Sequence, residues 1–109
     1  MTDLEIIRLC ALALHGGFNP VRLGNSEAGE LVRYECQGEK FDPLHGDAQA
    51  MALVNKFRLR VLPQANGHWC ADNGEPTPFV KDGYWLGQGD TPNRAICECV
   101  AKMQAAKHD

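Results

Sequence analysis

The fold is decided by residues 41–62, which read FDPLHGDAQAMALVNKFRLRVL. Asp42 stands before Pro43, and this pair is favourable at the N-cap and first position of a helix. Asp47, further along, offers a second cap. A single turn followed by a helix over 48–57 satisfies both signals, so the stretch predicts that arrangement.

The same stretch passes directly from this helix into an alternating segment at 58–62. Leu59 and Val61 face one way in an extended chain. Arg58 and Arg60 face the other way, because successive side chains of a strand point to opposite faces. A helix that runs straight into a strand favours a mixed fold with both elements in one core. None of these residues forms a recognisable catalytic motif.

Two further helices flank this centre. Thr2, with Glu5 three residues on, forms a capping box that predicts a helix over 3–14. Thr91 before a proline predicts a helix over 92–106. Apolar residues at helical spacing give each helix a core face. The predicted core residues are Leu4, Ile7, Ala11 and Leu14 in the first helix, Ala50, Leu53, Val54 and Phe57 in the second, and Ile96, Cys99, Val100 and Met103 in the third.

The remaining segments carry the strand signals. Residues 18–29 read as an irregular polar connection, whereas 31–36 alternate and predict either a short strand or an ordered loop. The dipeptides Asn66-Gly67 and Asp82-Gly83 are typical of tight hairpin turns. We therefore predict an α+β fold. It has a small, mainly antiparallel sheet of three or four strands, packed by three helices in a layered α-β-α sandwich.

Three features of the chain go together: the run FDPLHGDAQAMALV at 41–54, the strands that carry tryptophan and glycine, and the segment NRAICECV at 93–100. In these features the chain resembles small phage and prophage proteins of the phage ABA sandwich domain family. The resemblance covers most of the chain, about 4–106, and 65–78 reads as a local elaboration. It implies an α-β-α layered domain encoded by a bacteriophage or an integrated prophage. It carries no activity over to any residue.

Composition excludes several classes of function. The chain of 109 residues is too short for two domains and is predicted to form one, 1–109. A net charge of −3 and a pI near 5.7 argue against non-specific binding to nucleic acids, which depends on cationic side chains.

No apolar run approaches the roughly 20 residues that span a bilayer, and the first residues carry acids rather than a basic leader. Five cysteines without a secreted-type spacing are expected to be reduced thiols, so we expect the protein in the cytoplasm of a bacterial host.

Candidate contact residues lie on the predicted strands. Arg58 and Arg60, beside Lys56, form the concentrated basic group of the sequence, and the planar fork of arginine suits carboxylates and phosphates. The alternative is a solvated face or a salt-bridge partner for nearby acids. Aromatic residues on the hairpins suit either a protein interface or the core. The predicted ligand- or partner-binding residues are therefore Arg58, Arg60, Trp69, Tyr84 and Trp85.

Neither a metal site nor a catalytic set is predicted. Cys97 and Cys99 point about 200° apart on a helix, so we expect Cys99 in the core and Cys97 at its margin rather than a shared ion. His68 and Cys70 share one face of a strand, but a zinc site needs three or four ligands. No cysteine and histidine form a family-type catalytic signature. Asp47 is interpreted as a helix cap rather than as part of a proton relay with His45. We also expect no cofactor.

These observations predict a phage or prophage accessory protein that acts as a non-catalytic module and binds a protein partner or a second copy of itself. The first alternative is a module that holds a small nucleotide-like or carboxylate ligand with Arg58, Arg60 and Lys81 on a sheet face. The second alternative is a small hydrolase that uses His45, Asp47 or His68.

Overall fold

The computed structural model of the chain describes residues 1–16, 19–26, 29–36, 39–74 and 86–106. The helices described are α1 (Asp3–His15), α2 (Asp47–Phe57) and α3 (Pro92–Ala106). The strands described are β1 (Asn19–Ser26), β2 (Gly29–Cys36), β3 (Glu39–Phe41), β4 (Arg60–Pro63), β5 (Trp69–Asp72) and β6 (Leu86–Gly89). These elements confirm the predicted α+β class with three helices.

The strands form two antiparallel three-stranded sheets, ordered β1-β2-β3 and β4-β5-β6. The second is the small antiparallel sheet packed by helices that the sequence predicts. The first contains β1, which lies where the sequence predicts an irregular connection, so that prediction is wrong. β1 includes a proline and a glycine and lacks clear alternation, but it pairs along its length with the alternating strand β2. Its extended conformation is therefore set by its partner rather than by its own pattern.

Helix ends follow the capping signals. The hydroxyl of Thr2 accepts a hydrogen bond from the backbone N–H of Glu5, and the Glu5 carboxylate accepts one from the backbone N–H of Thr2. Gly16 ends α1 in the left-handed conformation, at φ +74°. The hydroxyl of Thr91 accepts a hydrogen bond from the backbone N–H of Arg94. The predicted caps of α1 and α3 are thus confirmed.

The centre of the chain differs from prediction at two points. The single turn forms, because the backbone N–H of Gly46 donates to the carbonyl oxygen of Asp42. Gly46 is then the N-cap of α2, and Asp47 is its first residue rather than its cap. At the other end Arg58 is left-handed, at φ +52°, so β4 begins only at Arg60. The prediction that Arg58 and Arg60 share a strand face is therefore wrong.

α3 is the centre of the helix layer, and it packs against α1, α2 and the sheet, most extensively against β6. Gly87 of β6 allows this approach. A Cβ there would lie 2.2 Å from the carbonyl oxygen of Ala95 and 2.4 Å from the backbone nitrogen of Cys99. Cys97, expected at the core margin, is fully buried, because α3 is enclosed by α1 on one side and the sheet on another.

The predicted core faces are largely confirmed. Leu4 is the exception, with 40% of its surface exposed. Four predicted core residues are partly buried against the core, namely Leu14, Val54, Phe57 and Met103. The predicted core residues that the structure buries are Ile7, Ala11, Ala50, Leu53, Ile96, Cys99 and Val100.

Candidate functional site

An apolar groove of about 790 Å³ lies between α2, β4 and the start of α3, and we call it the α2–β4 groove. Its floor is formed by the buried side chains of Ala50, Leu59 and Ile96. Its walls include Val54 and Val61, which are half-buried. A volume of this size is typical of sites that take a small ligand or a few side chains of a partner.

The groove exists because of where α3 lies. α3 packs mainly against β5 and β6, and α2 packs chiefly against α3. None of the described helices therefore fills the space between α2 and β4. Met51 of α2 stands at its rim with 55% of its surface exposed. A flexible, polarizable methionine beside half-buried valines is apolar surface that a partner can cover.

A small polar depression adjoins one end of the groove and shares His45 and Thr91 with it. We call this region the acidic end, because Asp3 and Asp90 of the depression lie beside it with Asp47 of the groove. Asp47 accepts a 2.9 Å hydrogen bond from a side-chain amide of α3, which is a neutral donor. Asp3 forms an ion pair with Arg94, whereas Asp90 is exposed. Carboxylates therefore outnumber guanidinium groups in the described lining of this end.

His45 stands at the mouth of the groove beside Asp42. Nδ1 of the histidine lies 2.8 Å from a carboxylate oxygen of Asp42. A hydrolase pairs such a histidine with a side-chain nucleophile or with an activated water. In the part of the chain that the structure describes, the groove lining includes no serine or cysteine, and the hydroxyl of Thr91 accepts the backbone N–H of Arg94. The hydrolase alternative therefore stays a prediction.

The basic group predicted from the sequence is engaged in structural contacts. Arg60 donates two hydrogen bonds, of 2.8 and 3.0 Å, to the carboxylate of Asp72, its partner across β4 and β5. The ammonium of Lys56 donates to the last carbonyl oxygens of α1, at 2.9 Å each. Arg58 is exposed at the end of α2. The two arginines therefore do not present a common surface.

The Arg60–Asp72 pair also fixes a charge inside the protein. Only 5% of the Asp72 side chain is exposed. Burial by itself raises the pKa of Asp72. The hydrogen bonds from Arg60 and from the backbone N–H of Gly74 lower it, and so does the positive charge of Arg60. Together they outweigh burial, so the pKa of Asp72 lies below its ordinary value. The carboxylate is thus ionised and paired, and Arg60 links β4 to β5 through it.

The aromatic residues predicted as contacts fall in two groups. Trp69 is half-buried in β5, opposite Pro63 and Gly89, and packs against the core. Tyr84 and Trp85 lie outside the described residues, as do the Asp82-Gly83 turn and Lys81. Arg58, Arg60 and Trp69 are the described members of the predicted set, and none of them lines the α2–β4 groove.

The buried thiols are part of the core. The Sγ of Cys10 donates to the carbonyl oxygen of Cys97 over 3.4 Å, between α1 and α3. The hydrogen bond with the Cys97 side chain and burial raise the pKa of Cys10, and burial raises the pKa of Cys99 to about 12. Such thiols stay protonated and unreactive at neutral pH. Within the described ranges, no group of three or more His, Cys, Asp or Glu residues could hold a metal ion.

The sequence does contain a signal for the groove. Ala50, Leu53 and Phe57 form one apolar stripe of α2, and Met51 with Val54 forms a second stripe beside it at a spacing of three. An apolar arc this wide exceeds what one packed neighbour covers. The second stripe therefore marks the face that α3 leaves uncovered.

Comparisons of the chain with protein-family models, curated proteins and solved structures give no significant match. The resemblance to the phage ABA sandwich domain family accordingly stays a prediction. Among the helices described, none has both the length and the apolar character needed to cross a bilayer.

Proposed function

We propose that this chain is a non-catalytic interaction module that binds an apolar segment of a partner protein in the α2–β4 groove. The observation that carries the proposal is the groove itself, with a buried apolar floor and the exposed Met51 at its rim. Exposed apolar surface on a concave site is what a binding partner removes from water. The engagement of Arg60 by Asp72 favours this function over a ligand site on the sheet face.

The charge of the groove defines the chemistry of the partner. Its body is apolar, whereas the acidic end has two carboxylates, Asp47 and Asp90, that form no salt bridge in the part of the chain described. A complementary segment has apolar side chains next to a lysine or arginine, because opposite charges favour encounter and fix orientation. The occupant we propose is therefore an apolar peptide segment flanked by a basic residue.

The biological setting is also a proposal. The resemblance to phage ABA sandwich proteins supports a phage or prophage accessory protein that acts in the bacterial cytoplasm. A host or phage protein with an exposed apolar and basic segment would then be its partner. The chain's negative net charge is consistent with a preference for a basic partner segment.

A random heptapeptide library tests the proposal. We expect selection on the immobilised protein to enrich peptides with apolar residues next to lysine or arginine. Met51→Lys should abolish their binding, because it places a cation in the apolar rim. Leu62→Lys is the matched control. Leu62 is similarly exposed, at 47%, but lies on the opposite face of β4, so this variant should bind as the wild type does.

Three results would overturn the proposal. One is a library that yields no enriched sequence. Another is binding that Met51→Lys and Leu62→Lys reduce equally. The third is a protein that is dimeric by sedimentation and becomes monomeric with Met51→Lys, because the groove is then filled by a second copy of the chain.

A further inference from the structure

Among the described strands, β4 lies at the edge of its sheet. The strand order is β4-β5-β6, so β4 pairs with β5 on one side, and no other described strand pairs with it. The same strand contributes Val61 to the lining of the α2–β4 groove, and Leu59, just before the strand, lines it too. An open strand edge and an apolar groove therefore lie next to each other.

The hydrogen-bond pattern shows which residues of β4 face outward. The backbone N–H of Gln64 donates to the carbonyl oxygen of His68 over 2.8 Å at the hairpin end. Hydrogen-bonded and non-hydrogen-bonded pairs alternate along an antiparallel ladder. Arg60 and Leu62, four and two residues before Gln64, therefore bond to β5. Val61 and Pro63 direct their backbone groups to the open edge.

The presence of proline agrees with this alternation. Pro63 has no N–H to donate, and proline is tolerated in a sheet where its nitrogen faces away from the neighbouring strand. The outward C=O and N–H of Val61 remain, and no described residue bonds to them. The backbone N–H of Leu59 is already used, because it donates to the carbonyl oxygen of Val54. The edge thus offers one complete backbone pairing position, at Val61.

We infer that the partner segment binds as an extended strand along the edge of β4 and pairs with the backbone of Val61. Strand addition is a common mode of peptide recognition, in which backbone bonds give affinity and alternate side chains enter pockets. Here the Val61 side chain lines the groove while its backbone faces the edge. A strand beside β4 therefore directs alternate side chains toward the groove. This inference rests on the proposed function and specifies how the same groove holds its partner.

The structure also limits the length of this added strand. Pro63 stops pairing at one end, and the left-handed Arg58 stops it at the other. The segment that pairs is therefore short. Its affinity depends mainly on the side chains in the groove and on the basic residue at the acidic end.

An N-methyl scan of the tightest library heptapeptide, made synthetically, tests strand addition. Methylation removes one backbone N–H without changing the side chain. We expect one position to lose about tenfold in affinity, from the lost bond to the carbonyl oxygen of Val61, and its immediate neighbours to lose much less. We also expect hydrogen exchange at the Val61 amide to slow when the unmethylated peptide binds. The amide of Cys70, which pairs with Leu62 inside the sheet, should exchange as before.

The outcomes separate the two proposals. If no methylated position weakens binding and the Val61 amide exchanges as before, but Met51→Lys still abolishes binding, strand addition is wrong and groove binding stands. If Met51→Lys has no effect on any peptide, both are wrong. A loss confined to one methylated position, together with slower exchange at Val61, supports both.

Discussion

The two ends of the helix layer differ in how closely they approach the sheet. At one end α3 lies directly on β6, where Gly87 has no side chain and a Cβ would lie 3.0 Å from the Cα of Cys99. At the other end α2 and β4 leave a groove of about 790 Å³, lined by Val54 and Val61. α3 cannot pack tightly against all three strands of this sheet. It lies close to β6 and β5, so β4 is largely left uncovered by the described helices. Close packing at the first end is thus the cause of the groove at the second.

The residue types at the two ends suit these roles. At the closed end the residues that meet are small, with Gly87 of β6 against Ala95 and Cys99 of α3, all of them buried. The groove has larger apolar side chains that the chain itself only half covers. Interiors are close-packed, so a half-covered apolar surface of this kind is available to a partner.

The largest expected effect is at the closed end. Gly87→Ala places a methyl group 2.2 Å from the carbonyl oxygen of Ala95, and backbone cannot rotate away as a side chain can. We expect the free energy of unfolding to fall by more than about 3 kcal/mol. Urea denaturation followed by circular dichroism measures it. The control is Gln88→Ala at the exposed neighbouring position, which should change it by less than about 0.5 kcal/mol. Similar losses for the two variants would contradict the close approach.

Two neighbouring residues of α2 allow the packed core and the groove to be compared within one helix. Leu53 is fully buried in the core, and Val54 is half-buried in the groove wall. Leu53→Ala should lower the free energy of unfolding by about 3 kcal/mol, since it leaves a cavity in a packed interior. Val54→Ala should cost about 1 kcal/mol, since its surroundings are already partly open. Equal losses in thermal or urea unfolding would mean that the groove is closed in solution.

A smaller effect is expected at the pair that holds β4 against β5. Arg60→Met leaves the buried Asp72 carboxylate with only the backbone N–H of Gly74, and we expect a loss of about 2 kcal/mol at pH 7. Arg58→Met at the exposed end of α2 is the control, with a change below about 0.5 kcal/mol.

The pH dependence of this loss has a definite sign. The folded-state pKa of Asp72 lies below its unfolded value. The pair therefore stabilises the fold fully above the unfolded carboxyl pKa of about 4, and this stability is lost as the pH falls through the folded value. Unfolding at pH 7 and pH 3 should show the difference between Arg60→Met and the wild type shrinking in acid. A difference that stays constant would mean that Asp72 does not depend on Arg60.

The elements that can be located from the sequence are those with local signals. The capping box at Thr2 and Glu5 and the cap at Thr91 fix helix starts through contacts three residues apart. The β1 strand escapes such reasoning because its partner, β2, determines its conformation. Gly87 carries no local signal either, because its lack of a side chain matters only where α3 lies on β6.

The candidate site is harder to predict than the fold. The sequence allows Arg60 to be either a ligand contact or a salt-bridge partner. The salt bridge with Asp72 becomes visible only in the register of β4 against β5, which places the two residues opposite each other. Trp69 offers the same choice between core and interface, and the structure packs it against the core. The second apolar stripe of α2 indicates a face that can lie uncovered, but the size and shape of the groove depend on distances between α2, α3 and β4.

The sequence by itself determined the helices, the caps of α1 and α3, the Asn66-Gly67 hairpin and the α+β class, because these follow from interactions within a few residues or from the period of apolar side chains. Only the tertiary structure decided the open face of the molecule. Contacts between residues far apart in the chain set the position of α3 on the sheet. They also set which edge of β4 has no described partner strand and which carboxylates meet at one end of the groove. Those contacts are set by packing in three dimensions, and packing is a property of the whole core rather than of any one segment.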